Sequence, residues 1–276
     1  MDNAAPLDAN PAAAALATLI DAARRGGEIA MRYFRENAQT SASITYKHGG
    51  SPVSEADHAV DAALAEILRP AFPDAGWLSE ETEDDAARLA CESVIVLDPI
   101  DGTRAFIKGD PCWTVALALV RRGRPIAGVV HAPALNETFA AALGLGATLN
   151  GQTIRAAKFA ALDGVQVGGP RGLRQAVAEK AGFRAEAGPP SPSLAYRLAS
   201  VAAGRVEIGV AGEGSHDWDI AAADIILEQA GAGLIEDGAK GFHEQVRYNQ
   251  ASTRHKSLVA APREWLTRLG SPGRGA

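Results

Sequence analysis

The chain has little of several things, and each shortage removes a class of protein. Its two cysteines, Cys91 and Cys112, show no CxxC spacing. That excludes a disulfide framework or a cysteine zinc knuckle and suits a reducing compartment. The longest apolar run, Trp113 to Val120, is far short of the ~20 residues that a membrane-spanning helix requires, so no membrane partner is expected. The first dozen residues, rich in Ala, Asn and Pro, carry Asp2 and no basic segment. No secretory leader is expected there, and the expected location is the cytoplasm. Nor is there an excess of positive charge: 27 Lys and Arg against 33 Asp and Glu leave a net charge of −6. A nucleic-acid polymer, held by clustered cations, is therefore not the expected partner. The local group Arg247, Arg254, His255 and Lys256 reads as a solvated loop. Repeats are absent, and biased composition is confined to the Ala/Pro-rich start and the Gly-rich end.

What is there suits a globular enzyme. A hydrophobic content of 47% over 276 residues is enough for one large or two modest cores. Apolar residues at helical spacing from Leu16 to Phe34 predict a first amphipathic helix over residues 12–37. The segment Lys47 to Ser54 reads as a turn, and Ser54-Glu-Ala-Asp57 as the capped start of a second helix with Val60, Leu64 and Leu68 inward. A polar loop over 73–82 and a short acidic helix follow. Strands are expected at 93–97, 113–120 and 126–132, with more around 138–155. The second half reads as a strand at 164–168, a helix at 171–181, a helix from Ser193 to Gly204 and a strand at 206–210. A long helix opened by Ser215 to Asp219 comes next, then a last strand at 257–261 and a closing helix. The expected class is α+β and α/β. Residues 1–155 would form an α+β domain with an antiparallel-leaning sheet and most of the metal ligands, and residues 156–276 an α/β domain contributing Trp218-Asp219.

Residues 94–106 concentrate the chemistry. A buried-type strand runs into Asp98-Pro-Ile-Asp-Gly-Thr103, where Pro99 removes a backbone donor and bends the chain. Asp98 and Asp101 can then converge on one side of a turn, with the Ile100 carbonyl as a further hard oxygen ligand. Gly102 permits close approach of the backbone to a ligand, and Thr103 offers a hydroxyl and an amide at a helix start, where an anion is favoured. An Asp cap on an ordinary polar turn is the competing explanation. Elsewhere, Glu80-Glu81 lies in a loop and Asp219 at a helix start. Asp219 could be there only for the helix dipole, and Asp57 only for a capping box.

Together, Trp77-Leu-Ser-Glu-Glu-Thr82, Leu97-Asp-Pro-Ile-Asp-Gly-Thr103 and Trp218-Asp-Ile-Ala-Ala-Ala-Asp224 with Glu228-Gln-Ala-Gly231 resemble the three motifs of the inositol monophosphatase family. Order and separation match, so the resemblance covers nearly the whole chain. It implies a layered α-β-α-β-α sandwich, usually dimeric, and a Mg²⁺-dependent phosphate monoester hydrolase using a metal-activated water. By position, it implies Glu80, Asp98 and the Ile100 carbonyl on a first metal, and Asp98, Asp101 and Asp219 on a second. Asp57 would contribute to a third, giving two or three Mg²⁺ per subunit. Glu80 and Thr103 match the pair that orients the attacking water, with Asp101 also in the catalytic set. The Gly102 and Thr103 amides match the phosphate cradle, and Lys47 a loop lysine near the site. The donor chemistry agrees, because hard oxygen ligands suit Mg²⁺ and two metals can clamp attacking and leaving oxygens.

The substrate is expected to be a small phosphate ester, and the resemblance points three ways. Phe106-Ile-Lys108 and Ser193-Leu194 resemble the 3'(2'),5'-bisphosphate nucleotidase branch, with Ser193 as a phosphate contact. Gly109-Asp-Pro-Cys-Trp113 is closer to histidinol-phosphatase-like members. Where the inositol phosphatases have an acid seven residues before the motif aspartate, this chain has Gly212, with Glu213 one later. The bisphosphate nucleotide is therefore the expected substrate, with histidinol phosphate and inositol monophosphate as alternatives. An aspartyl-nucleophile phosphatase would need its two aspartates two residues apart, not three. A non-catalytic metal-binding scaffold would not need the full set of ligands and Thr103.

Overall fold

The computed structural model describes residues 11–47, 49–161, 163–238 and 241–270; the first ten residues and the Gly-rich last six lie outside the described residues. The chain opens with helix α1 (Pro11–Tyr33), the hairpin β1 (Ile44–Tyr46) and β2 (Pro52–Ser54), and helix α2 (Glu55–Ala71). Next come β3 (Gly76–Ser79), β4 (Ser93–Asp101) and the short helix α3 (Thr103–Lys108). Five strands follow: β5 (Thr114–Arg121), β6 (Arg124–Ala132), β7 (Glu137–Ala142), β8 (Gly146–Leu149) and β9 (Gln152–Thr153). The remainder is β10 (Gln166–Gly168), α4 (Arg171–Ala181), β11 (Glu186–Ala187), α5 (Leu194–Ala202), β12 (Ile208–Ala211), α6 (Asp217–Gln229), β13 (Ala232–Gly238), β14 (Gly241–Gln245), β15 (Leu258–Pro262) and α7 (Arg263–Gly270). Among the described residues, no helix is long and apolar enough to cross a membrane.

Two sheets and three helical layers alternate. The seven-stranded sheet runs β3 to β9 in order, parallel at β3–β4 and antiparallel beyond. The six-stranded sheet has the order β11-β10-β12-β15-β13-β14. Side-chain alternation along each strand assigns the layers. On β4 and β5, Ile95, Leu97, Val115, Leu117 and Leu119 pack with α1 and α2, whereas Val94, Val96, Ala116, Ala118 and Val120 pack with α5 and α6. On β15, Leu258 and Ala260 face α5 and α6, while Val259 and Ala261 join Val177 and Trp265 beneath α4 and α7. The result is an α-β-α-β-α sandwich in which α5 and α6 are covered on both sides. That explains why α6 is apolar nearly all round.

Several expectations need correction. The first helix ends at Tyr33, four residues earlier than expected. The polar loop over 73–82 contains β3, whose two central apolar residues, Trp77 and Leu78, are too few to show a period. The acidic helix after it is a single 3-10 turn over Ala86–Ala90, with Asp85 as its cap. The turn from Lys47 to Ser54 belongs to the β1–β2 hairpin. The strand expected to stop at 97 continues to Asp101, with its register against β5 broken between Asp98 and Asp101. Strands β13 and β14 are additions to the expected elements.

Gly128 sets the distance between β6 and α6. A Cβ there would sit 2.6 Å from Ile225 Cγ2 and 2.7 Å from the Ala222 carbonyl oxygen. Gly128→Ala should destabilise the fold by about 1–3 kcal/mol through overpacking, measured as a lower urea midpoint. An unchanged midpoint would show that this contact does not fix the spacing.

Candidate active site

The site is built where β4 ends and several helices begin. Asp98, Asp101 and Asp219 each place a carboxylate oxygen within 4.8 Å of the others. Asp98 turns back to accept from the Ile100 amide at 2.9 Å. Gly102, in the left-handed region at φ 94°, then reverses the chain into α3, and an added Cβ would press on the Cys112 carbonyl and on Ser193. Thr103 opens α3, its hydroxyl 3.1 Å from the Ile100 carbonyl and 3.3 Å from Asp57 Oδ1.

Asp57 and Asp219 hold equivalent local positions, each three residues into its helix with one oxygen bound by the N-cap. Asp57 Oδ2 accepts from the Ser54 amide at 2.8 Å and the Ser54 hydroxyl at 2.6 Å, and Asp219 Oδ2 accepts from the His216 amide at 2.5 Å. The cap uses one oxygen of each acid and leaves the other facing the site. Asp101 is held differently. It accepts from the Ala195 amide at 2.7 Å, the Leu194 amide at 3.2 Å, the Thr114 hydroxyl at 3.4 Å and the Ser193 hydroxyl. The N-terminus of α5 is thus spent on Asp101, and Ser193 reaches this site through that carboxylate.

Glu80 extends β3 by one residue, its amide donating to the Leu97 carbonyl at 3.3 Å. Lys47 comes in from the β1–β2 hairpin, with Nζ 2.9 Å from Glu80 Oε1 and 2.8 Å from Glu81 Oε1. Of the residues expected from sequence, Asp98, Asp101 and Asp219 form the carboxylate cluster, Ser193 bonds to Asp101, and Thr103 bonds to Asp57 and the Ile100 carbonyl. Asp57 and Glu80 lie outside that three-acid cluster, and Lys47 pairs with Glu80. Thr114 is an addition, hidden inside an ordinary strand. So is buried Asp217, which joins His255 Nε2 at 2.8 Å and the Asn249 amide at 2.8 Å and anchors the start of α6. Their partners are distant in sequence and left no local signal.

Burial, with the charges of Glu80, Asp101, Asp219 and Asp57, pushes Asp98 well above the ordinary carboxylate range. Burial raises Asp219 well above it too, reinforced by Asp101 and Glu80. Asp101 and Asp57 are raised by burial against the pull of their donors. Glu81, lifted by burial and by Glu80 against the pull of Lys47, reaches about 7. For Lys47 the neighbouring Glu80 and Glu81 outweigh burial and raise the ammonium. Acids this close hold either protons or a hard cation.

The comparisons fit this geometry. The inositol monophosphatase family model matches residues 13–269, and the chain belongs to that family. Inositol monophosphatase 2 of Solanum lycopersicum is 31% identical over 248 residues, covering 86% of this chain and 92% of the relative. Nus factor SuhB of Pasteurella multocida is 34% identical over 261 residues, covering 88% and 90%. Among solved structures, the extragenic suppressor protein suhB of Bartonella henselae superposes with a TM-score of 0.74 at 25% identity, covering 93% of this chain and 97% of that one. Members of the family are metal-dependent phosphatases of phosphate monoesters, and this chain is a phosphoric monoester hydrolase.

The raised acids make metal-free stability pH-dependent with a definite sign. The native state holds more protons than the unfolded chain, whose acids titrate near ~4, so these groups lose their contribution as pH rises through their folded values. Two of those values, Glu81 and Asp224, are about 7. His131 and His216, lowered by burial, oppose the trend only up to their unfolded value of ~6.5. In chelator, the melting temperature should therefore fall between about pH 6.5 and 8, and saturating Mg²⁺ should reduce the slope. A melting temperature rising over that interval would contradict the assignment.

Proposed function

We propose that the protein is a Mg²⁺-dependent phosphatase acting on a 3'(2'),5'-bisphosphate nucleotide. The observation that carries the metal requirement is the convergence of three carboxylates within 4.8 Å, an all-oxygen donor set suited to a hard divalent ion. Glu80, Asp98 and the Ile100 carbonyl would hold one ion, and Asp98, Asp101 and Asp219 a second. Asp57 would help with a third. When bound, such ions neutralise phosphoryl charge and make water a usable nucleophile near neutral pH. Thr103, donating to Asp57 or to the Ile100 carbonyl, keeps lone pairs free to accept from that water, and Glu80, held by Lys47, is the second group that orients it. The amides of Gly102 and Thr103 cradle the phosphate.

Two of the residues that suggested a substrate, Phe106 and Trp113, have structural uses. Both are buried in the core, edge to face at 4.9 Å. Arg197, a cation close to Ser193, is likewise occupied, donating to the Ser191 and Val210 carbonyls. The nucleotide reading is supported instead by the segment before Asp219. Gly212 is exposed with nothing within 4 Å of its would-be Cβ, and the Arg254 guanidinium lies against Gly214. The ring of His216 stacks on Trp218 with centroids 4.4 Å apart. A cation and a flat aromatic pair suit a second phosphate and a base better than a polyol seeking an acid. The inositol monophosphate reading is favoured by the names of two relatives, 31% and 33% identical. A cytoplasmic homodimer is part of the same proposal, as is division into units 1–155 and 156–276 that meet at the site.

Asp219→Asn should abolish most turnover at ordinary Mg²⁺ while the chain stays folded by circular dichroism, because it removes a ligand and relieves repulsion. Thr103→Ala should lower kcat roughly 10²-fold or more with little change in KM, as for a group used in the transition state. A large rise in KM with unchanged kcat would instead make Thr103 a phosphate contact only.

In a panel with Mg²⁺, adenosine 3',5'-bisphosphate should give a higher kcat/KM than inositol 1-phosphate or histidinol phosphate. A tenfold preference for either of the others would overturn the substrate and leave the phosphatase in place.

A further inference from the structure

We propose that Asp61, which the site described above does not include, is a positioning residue that clasps the Glu80–Glu81 segment from both sides. Asp61 lies on α2 four residues after Asp57, so the two carboxylates share a face of the helix. Its Oδ1 accepts from the Ser79 hydroxyl at 2.5 Å, and its Oδ2 accepts from the Thr82 hydroxyl at 2.9 Å. Ser79, 2% exposed, is the last residue of β3. Its hydroxyl oxygen also accepts from the Glu81 amide at 3.2 Å, which leaves its proton for Asp61. One carboxylate thereby brackets the dipeptide, with Ser79 before it and Thr82 after it.

The placement has a chemical reason. Beyond Glu80 the chain leaves the sheet: the Glu80 amide makes the final pairing to β4, and Gly76–Ser79 are the last ladder residues. Without a second anchor, the Glu80 side chain would be aimed by a free loop and by Lys47, an ion pair whose members are about a quarter to a third exposed. The two hydroxyls are received on separate oxygens of one rigid group, so Ser79 and Thr82 are held by a single side chain. Among the described residues Asp61 has no salt bridge, and its side-chain partners are the two hydroxyls of Ser79 and Thr82. α2 would then set two parts of the site at once, Thr103 through Asp57 and Glu80 through Asp61.

The inference rests on the reading of Glu80 as a metal ligand, and the test separates the two. Mn²⁺ binding to the full chain is measured without substrate, by the free-ion signal in electron paramagnetic resonance, for the parent protein and for Glu80→Gln, Asp61→Ala, Thr82→Val and Thr82→Ser. Glu80→Gln should weaken the tightest Mn²⁺ site at least tenfold. Asp61→Ala should do nearly as much, Thr82→Val several-fold, and Thr82→Ser, which keeps the hydroxyl, should match the parent. On the best ester of the panel, Asp61→Ala and Thr82→Val should lower kcat with KM within about threefold. If Asp61→Ala does not fold, the Thr82 pair decides, since both variants remove a methyl or a hydroxyl from the same spot and only the hydroxyl should matter. Mn²⁺ affinity within twofold of the parent in Asp61→Ala and Thr82→Val, with Glu80→Gln impaired, would overturn the clasp alone. Parent-like affinity in Glu80→Gln would overturn the Glu80 reading and the clasp with it.

Discussion

The structure depends on holding several carboxylates close together in a place where they repel one another and are poorly solvated. Moving one carboxylate from water into a protein interior costs several kcal/mol even after relaxation. The fold offsets this with backbone dipoles and donors before any cation is considered. Asp57 and Asp219 are capped by the N-termini of α2 and α6, and Asp101 by that of α5, with Ser54, Thr114 and Ser193 adding hydroxyls. These donors lower the acids' proton affinity only in part, which is why the cluster remains above the ordinary carboxylate range.

The layer order follows from the same demand. Three helix starts can meet at one point only if helices approach the end of β4 from both faces of its sheet. α2 comes from one side, and α5 and α6 come from the other, packed between the two sheets. The small residues of α6, Ala221 to Ala223, let it lie close to β5 and β6, with Gly128 opposite. Elements distant from the chemistry therefore control it. A shift of α6 moves Asp219, and a shift of α5 moves the donors of Asp101.

In this site a structural role and a chemical role are not alternatives for the same residue. Asp57 completes a capping box and also faces Thr103; Asp219 caps its helix with one oxygen and joins the acid cluster with the other. Ser193 caps α5, accepting from the Tyr196 amide, and donates to Asp101. Two acceptor oxygens per carboxylate make this sharing possible.

Much of this was legible in one dimension. The apolar periods of α1 and α2, the continuous apolar runs of β5 and β6, the Ser54 and Asp219 helix starts, and the Asp98-to-Thr103 turn are local patterns, and local sterics and capping enforce them wherever the chain folds. The sequence by itself determined which acids are present, their order, and the short-range geometry around each. It did not reveal β3, two apolar residues long at its centre, or β13 and β14. Nor did it reveal which oxygen of each acid is left for a ligand, that Lys47 pairs with Glu80 and Glu81, or that Asp61 faces Ser79 and Thr82. Those were decided by tertiary structure. Thr103 meets Asp57 across 46 residues and Ser193 meets Asp101 across 92, and contacts that span so much chain leave no period, because packing of distant elements and not the local backbone brings the groups together.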